Sequence, residues 1–198
     1  MRAIENLLPE SYAQHIYEGV NSPYFPWFFM NEIGIDYEYN GRFKNSLISN
    51  PVGLTHVACA DNEPNSNYFG LFQPVLYFLE QKTGVAFDKI LRIRVRRTFY
   101  SKGHIEGMYN LPHVDMPSAE PYKTLVYYVN DSDGDTFLFN ETHKEGDSTI
   151  RDEEVTIAMR SSPIRNNAVL FDGKTFHAGN APVRHRERTI VNFDFTVK

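Results

Sequence analysis

The chain has 198 residues and a single cysteine, Cys59. No internal disulfide can form, so a cystine-stapled secreted scaffold is excluded, and the lone thiol reads as a small buried apolar residue that fits a reducing cytoplasm. No apolar run approaches the roughly 20 residues of a membrane-spanning helix. Glu5 and Glu10 interrupt the N-terminal segment where a signal peptide would carry its hydrophobic core. Basic residues are not in excess: 20 Lys and Arg stand against 25 Asp and Glu, for a net charge of −5 and a pI near 5.8. That balance leaves no electrostatic footprint for nucleic acid or an anionic membrane. Repeats and low-complexity tracts are missing too, and nothing in the sequence indicates an oligomeric state.

What is abundant is aromatic: 15 Phe and 12 Tyr. The length suits one domain with a substantial core, divided into a supporting segment, 1–88, and a core segment, 89–198. In the first, Leu8, Tyr12, Ile16 and Val20 make one stripe of an amphipathic helix, and Phe72, Val75, Leu76 and Leu79 make another that ends at Gly84. The segments Tyr24–Met30 and Leu54–Cys59 read as strands, and the aromatic one suits the core better than a pocket wall. From Lys89 the period changes to two. Ile90–Tyr100 alternates apolar residues with arginine, which predicts a half-buried strand with its charged face in water; the alternative use of that face is to bind an anion. Further strands are predicted at 123–130, 136–140, 155–159, 168–171 and 188–195, with a polar excursion at 141–154. The aspartates at 131, 133 and 135 belong to a turn, since a calcium loop would need a glutamate where Thr142 stands. Eight or more short strands with such turns predict a mainly β chain: a double-stranded β-helix (jelly roll, cupin-like) with the N-terminal helices packed outside.

The chemistry concentrates in Leu111-Pro112-His113-Val114-Asp115-Met116-Pro117. In an extended segment residues i and i+2 share a face, so His113 and Asp115 can place an imidazole nitrogen and a carboxylate oxygen on one ion. His177, in Thr175-Phe176-His177-Ala178-Gly179, is the candidate third ligand. The set is a 2-His-1-carboxylate facial triad, the geometry of non-haem Fe(II) oxygenases. His104 is the rival ligand but lacks an i+2 carboxylate, while His56 and His143 read as structural or solvated. Arg188 opens the last strand, where a guanidinium can take a carboxylate in a two-bond fork. Arg184 and Arg186 are alternatives, but they fall in the turn before it. Asn192, four residues on, shares the Arg188 face. In the loop entering the metal segment, His104, Glu106 and Tyr109 are candidate substrate contacts.

This pattern resembles the 2-oxoglutarate and Fe(II)-dependent oxygenases, in particular the prolyl-hydroxylase-like branch, over about residues 90 to 196. Beyond the triad, Tyr100-Ser101-Lys102-Gly103 is similar to the Tyr-x-x-Gly that leads into the family's metal strand. Lys123–Asn130 with Gly134-Asp135-Thr136 is similar to its long core strand and following turn. Arg188 stands where collagen-type prolyl hydroxylases carry lysine. The resemblance implies Fe(II) on His113, Asp115 and His177, with 2-oxoglutarate clamped by Arg188 and supported by Tyr100 and by Thr136 or Tyr127. It also implies dioxygen as oxidant, and a reaction that converts 2-oxoglutarate to succinate and carbon dioxide while hydroxylating a C–H bond. Related halogenases have a small residue in place of the aspartate, so Asp115 points to hydroxylation. The implied substrate is a small molecule or a peptide, such as a prolyl or other amino-acid side chain. Two other classes fit the residues: a cupin-type metal enzyme that does not use 2-oxoglutarate, and a non-enzymatic jelly-roll binding module.

Overall fold

A computed structural model describes residues 1–31, 51–100, 105–116, 121–144 and 154–198. The strands are β1 (Arg2–Ile4), β2 (Phe28–Met30), β3 (Gly53–Ala60), β4 (Glu63–Pro64), β5 (Phe87–Phe99), β6 (Lys123–Tyr128), β7 (Thr136–Thr142), β8 (Ile157–Ser161), β9 (Ala168–Asp172), β10 (Thr175–Gly179) and β11 (Glu187–Val197). The helices are α1 (Glu10–Asn21), α2 (Phe69–Phe72) and α3 (Pro74–Thr83). One antiparallel sheet runs β1-β9-β6-β11-β5-β3-β2, with β4 attached to β3, and a second runs β10-β7-β8. Two facing sheets of this kind, with helices outside, make the jelly roll expected from the strand count.

Strand alternation sorts the large sheet into two chemistries. Ile93 and Val95 on β5, Leu125 and Tyr127 on β6, and Val191, Phe193 and Phe195 on β11 are fully buried. They form one cluster with Ala13, Ile16 and Val20 of α1 and Val75, Leu76 and Leu79 of α3. Both apolar stripes are buried as predicted, but Leu8 precedes α1 and Phe72 closes α2, so the second stripe is shared by two helices. Pro74 sits at the first position of α3, where its missing N–H is not needed. Gly84 ends the helix at φ 76°, a left-handed conformation that glycine adopts without strain, and its N–H reaches the Glu80 carbonyl at 2.8 Å. The opposite face of the large sheet looks across at the second sheet. There Val126, Tyr128, Val169, Phe171 and Ile190 pack on Leu138, while Arg92, Arg94, Arg96, Thr98, Arg188 and Asn192 share their face by register.

Three expectations need correction. The arginine face of β5 is not in water: it is turned inward between the sheets, where Arg92 and Arg94 form ion pairs with side chains only 18% exposed. The aromatic stretch at 24–30 is a strand only over Phe28–Met30. Phe25 instead joins the core, 4.7 Å from Trp27 and Tyr68 and 4.8 Å from the buried His56. Finally, Tyr24, Phe28 and Phe29 of that stretch are exposed and do not belong to the core; Arg2–Ile4 adds an edge strand to β9.

The turn from β9 to β10 sets the approach to the metal segment. Gly173 donates its N–H to the Tyr122 carbonyl at 2.8 Å, and a Cβ built at Gly173 would fall within the Tyr122 ring. The Tyr122 hydroxyl in turn accepts the Met116 N–H at 2.9 Å, immediately after Asp115. Gly173→Ala must therefore displace a fully buried ring. The expected cost is about 1–3 kcal/mol of stability, the range for overpacking, measured by urea denaturation; an unchanged midpoint would show that the turn can yield.

Candidate metal and anion site

His113 and His177 face each other as an antiparallel bridge. The His113 N–H donates to the His177 carbonyl and the His177 N–H to the His113 carbonyl, both at 2.9 Å. Directly opposed residues put their side chains on one face, and the ring centroids lie 4.7 Å apart. Asp115, two residues beyond His113, joins the same face. The result is that one ligand atom from each of His113, Asp115 and His177 lies within 4.8 Å of the others. His177 is buried, and the other two are half-buried.

The hydrogen bonds fix which atoms point inward. His113 Nδ1 lies 3.0 Å from the Leu111 carbonyl, and His177 Nδ1 lies 3.2 Å from the Thr175 carbonyl. A carbonyl can only accept, so each Nδ1 carries a proton, and in the neutral imidazole Nε2 keeps its lone pair for a ligand. His177 Nε2 lies 3.1 Å from Asp115 Oδ2, a contact closed by a proton when the ring is charged and by a metal ion when it is not. Burial, reinforced by the neighbouring His177, pushes His113 down to about 3, so it is neutral and able to ligate at pH 7. A pair of imidazoles with one carboxylate fits a divalent transition metal.

Asp115 divides its two oxygens between tasks. Oδ1 accepts from Arg92 Nη2 at 2.7 Å and Arg94 Nη2 at 2.8 Å, while Oδ2 accepts from Asn192 Nδ2 at 2.9 Å and faces the histidine. Burial raises this carboxyl, but His177 and the two guanidinium groups outweigh it and hold it well below the usual range. Arg92 also binds Asp194 at 2.7 Å, and Asp194 accepts the Thr124 hydroxyl at 2.8 Å. Burial, with the charge of Asp115 adding to it, pushes Asp194 up to about 6.

The pocket beside the triad opens to solvent. At its back Arg188 is 6% exposed; its Nη2 donates to Thr136 Oγ1 at 2.8 Å, and its guanidinium carbon stands 6.0 Å from the Tyr128 ring centre. The Tyr128 hydroxyl lies 3.0 Å from Thr136 Oγ1. Several buried polar atoms lining the pocket lack a hydrogen-bond partner among the described residues: Arg188 Nε, Thr98 Oγ1, Asn110 Oδ1 and Asn192 Oδ1. Buried polar groups are ordinarily paired, so this cluster fits a pocket built for a polar guest.

The sequence-named residues thus fall into groups. His113, Asp115, His177, Arg188, Thr136 and Asn192 converge. Tyr127 does not: it lies on the helix-facing side of β6, while its neighbour Tyr128 faces between the sheets and backs Thr136, which lines the pocket. Tyr100 is 55% exposed and outside the pocket lining. Tyr109 is buried against Phe137 and Phe139. Glu106 is exposed and pairs with Arg184 at 2.8 Å. His104, and residues 101–103 with it, lie outside the described residues. Sequence reasoning missed Tyr128, Asn110, Arg92, Arg94 and Arg96; for the arginines the alternation was visible in the sequence, but their partners Asp115 and Asp194 lie on distant segments.

By sequence, no family model and no curated protein matches this chain. By structure, it is similar to a Trichoplax adhaerens prolyl hydroxylase solved with a peptide fragment of the hypoxia inducible factor oxygen degradation domain, with a TM-score of 0.58 and 13% identity over 98% of this chain and 82% of that one. A Pseudomonas putida prolyl-4-hydroxylase matches with a TM-score of 0.54 and 11% identity over 100% and 92%. The non-heme alpha ketoglutarate dependent carbocyclase SnoK of nogalamycin biosynthesis matches with a TM-score of 0.62 and 10% identity over 98% and 78%. At these identities the shared property is the fold.

Gly134 makes the back of the pocket possible. A Cβ there would stand 2.9 Å from Arg188 Cδ and 2.5 Å from the Asn180 carbonyl oxygen. Gly134→Ala is expected to shift the Arg188 stem and weaken binding of a dicarboxylate such as 2-oxoglutarate by about tenfold, the equivalent of modest overpacking, with metal binding retained. Calorimetric titration of the Mn(II)-loaded variant checks this, and an unchanged affinity would mean that the clamp does not depend on this glycine.

Proposed function

We propose that this chain, which has the fold of the prolyl-hydroxylase-like 2-oxoglutarate and Fe(II)-dependent oxygenases, is itself such an enzyme, with the whole chain as one catalytic domain and hydroxylation of a C–H bond as its reaction. The observation that carries the reading is the conjunction in one pocket of the His113, Asp115 and His177 ligand atoms with a buried Arg188 whose Nε has no partner among the described residues. A metal site alone would suit many enzymes. A desolvated guanidinium behind it calls for a carboxylate, and 2-oxoglutarate presents one carboxylate to each end.

His113 Nε2, His177 Nε2 and Asp115 Oδ2 would hold Fe(II), leaving the opposite face of the ion open. The Leu111 and Thr175 carbonyls keep the imidazoles in the ligating tautomer, while Arg92, Arg94 and Asn192 aim the carboxylate. Arg188 and Thr136 would take the distal carboxylate of 2-oxoglutarate. Tyr128 closes the wall behind them, and the apolar side chains of Val126 and Ile190 keep water from that end. When bound, the iron and the 2-oxo acid supply the oxidation: dioxygen is consumed, 2-oxoglutarate becomes succinate and carbon dioxide, and the second oxygen atom goes to the substrate. Both a peptide and a small molecule occur as bound groups among the structural neighbours: one was solved with a peptide fragment and another, the epimerase SnoN, with Fe3+, alpha ketoglutarate and nogalamycin RO.

Anaerobic addition of Fe(II) and 2-oxoglutarate is expected to produce a weak visible charge-transfer band, and exposure to air to release succinate. His113→Ala and Asp115→Ala should abolish both while the circular dichroism of the fold persists. Arg188→Met should raise the 2-oxoglutarate concentration needed by about 10- to 100-fold, the value of a lost charge-assisted hydrogen bond, with iron still bound. Metal binding without the band in the unmodified protein would favour a cupin-type enzyme that does not use 2-oxoglutarate.

A further inference from the structure

Arg96 is the cation that this site does not use. It lies on β5 between Arg94, which holds Asp115, and Thr98, which pairs in register with Arg188. Its side chain lines the pocket. Arg92 and Arg94 occupy Asp115 Oδ1, whereas Arg96 makes no hydrogen bond or ion pair with any described residue. Two positions along the same face, Thr98 is 5% exposed and its Oγ1 also lacks a partner among the described residues. A guanidinium and a hydroxyl, both directed into a pocket and both unmatched, make a donor set for an oxyanion.

The charge balance identifies whose oxyanion it is. Arg96 and Arg188 line the pocket with Asp115, and Arg92, Arg94 and Asp194 stand directly behind that carboxylate; Asp135, which also faces Arg188, is paired with Arg160, so four guanidinium groups are set against two carboxylates. A divalent metal adds two positive charges, and the 2-oxoglutarate dianion offsets only those two. The carboxylates of that co-substrate are already assigned to the metal and to Arg188. Two positive charges remain, one of them on Arg96, which feels Asp115 and Asp194 through space but makes no hydrogen bond or ion pair with a described residue. Burial, with Arg94 adding to it, pulls Arg96 down to about 9, so it stays charged at pH 7 but in an environment that penalises the charge.

Building on the proposed oxygenase reading, we propose that Arg96, with Thr98, binds a carboxylate on the substrate, so that the molecule oxidised is an acid. The metal then acts on a C–H bond of a molecule anchored through that group, one strand row away from the 2-oxoglutarate clamp.

The test uses the full chain loaded with Mn(II) and 2-oxoglutarate and titrated calorimetrically with N-acetyl-L-leucine, N-acetyl-L-proline and N-acetyl-L-phenylalanine, each against its amide. These probes carry a carboxylate without an ammonium group. At least one acid is expected to bind and its amide to bind about tenfold or more weakly, as for loss of a charge-assisted contact. Arg96→Gln should abolish that preference, and Arg96→Lys should restore part of it. Removing a cation from among like charges relieves repulsion, so the glutamine variant should fold, and the anaerobic Fe(II) and 2-oxoglutarate band verifies its site. No binding by any acid, equal binding by acid and amide, or equal binding by unmodified and Arg96→Gln protein would each overturn the proposal. A loss of 2-oxoglutarate affinity in Arg96→Gln would do so too, because it would make Arg96 a co-substrate ligand. If the band is absent from the unmodified protein, the oxygenase reading fails; acid binding that still depends on Arg96 would then leave an anion site in a different kind of protein.

Discussion

The structure is organised around a buried carboxylate that must be neutralised. Asp115 has a side chain only 4% exposed, and an ionised carboxylate in that position is tolerable only if every lone pair is met. Arg92 and Arg94 meet one oxygen and Asn192 the other, and the remaining direction is the one shared with two imidazole lone pairs. Breaking one partner of such a set typically costs about 3–5 kcal/mol, so the register of β5 against β11, which delivers these side chains as opposed pairs, is under strong constraint. Arg92 opposite Asp194 and Arg94 opposite Asn192 follow directly from that register. Metal ligation and strand pairing are here a single problem.

Much of this was legible from residue spacing, because spacing determines which side chains share a face. The i, i+2 relation between His113 and Asp115 needs only an extended backbone, and Arg188 with Asn192 needs only a regular strand. Period alone does not say which face is wet. On β5 the alternation of arginine with Ile93 and Val95 is the same whether the arginines meet water or an internal site. What decided it was partners from distant segments, Asp115 and Asp194, that convert an apparent surface into a charged interior. Tyr127 against Tyr128 failed for a related reason. Leu125 to Val129 is apolar on both faces, since one is covered by α1 and α3 and the other by the second sheet. A strand buried on both sides carries no alternation from which parity can be read. The edge strand at Arg2–Ile4 is three residues long and its partner lies beyond residue 167, so no local signal marks it.

The distribution of charge also separates what the fold supplies from what this chain adds. A prolyl hydroxylase and a carbocyclase share this architecture, so the fold alone does not choose a substrate. Selection has to come from groups that differ in chemistry around a constant centre. At an effective dielectric of 20, two unit charges about 4 Å apart interact by about 4 kcal/mol. Near Arg96 that figure is repulsive for an ammonium group and attractive for a carboxylate, a difference far larger than one methylene in an apolar pocket can produce. On the proposed reading, a substrate presenting its amino end toward β5 would be rejected on charge before its shape mattered. An arginine that in a surface strand would be an ordinary solvated residue is here turned inward beside Arg94, where its charge faces the pocket.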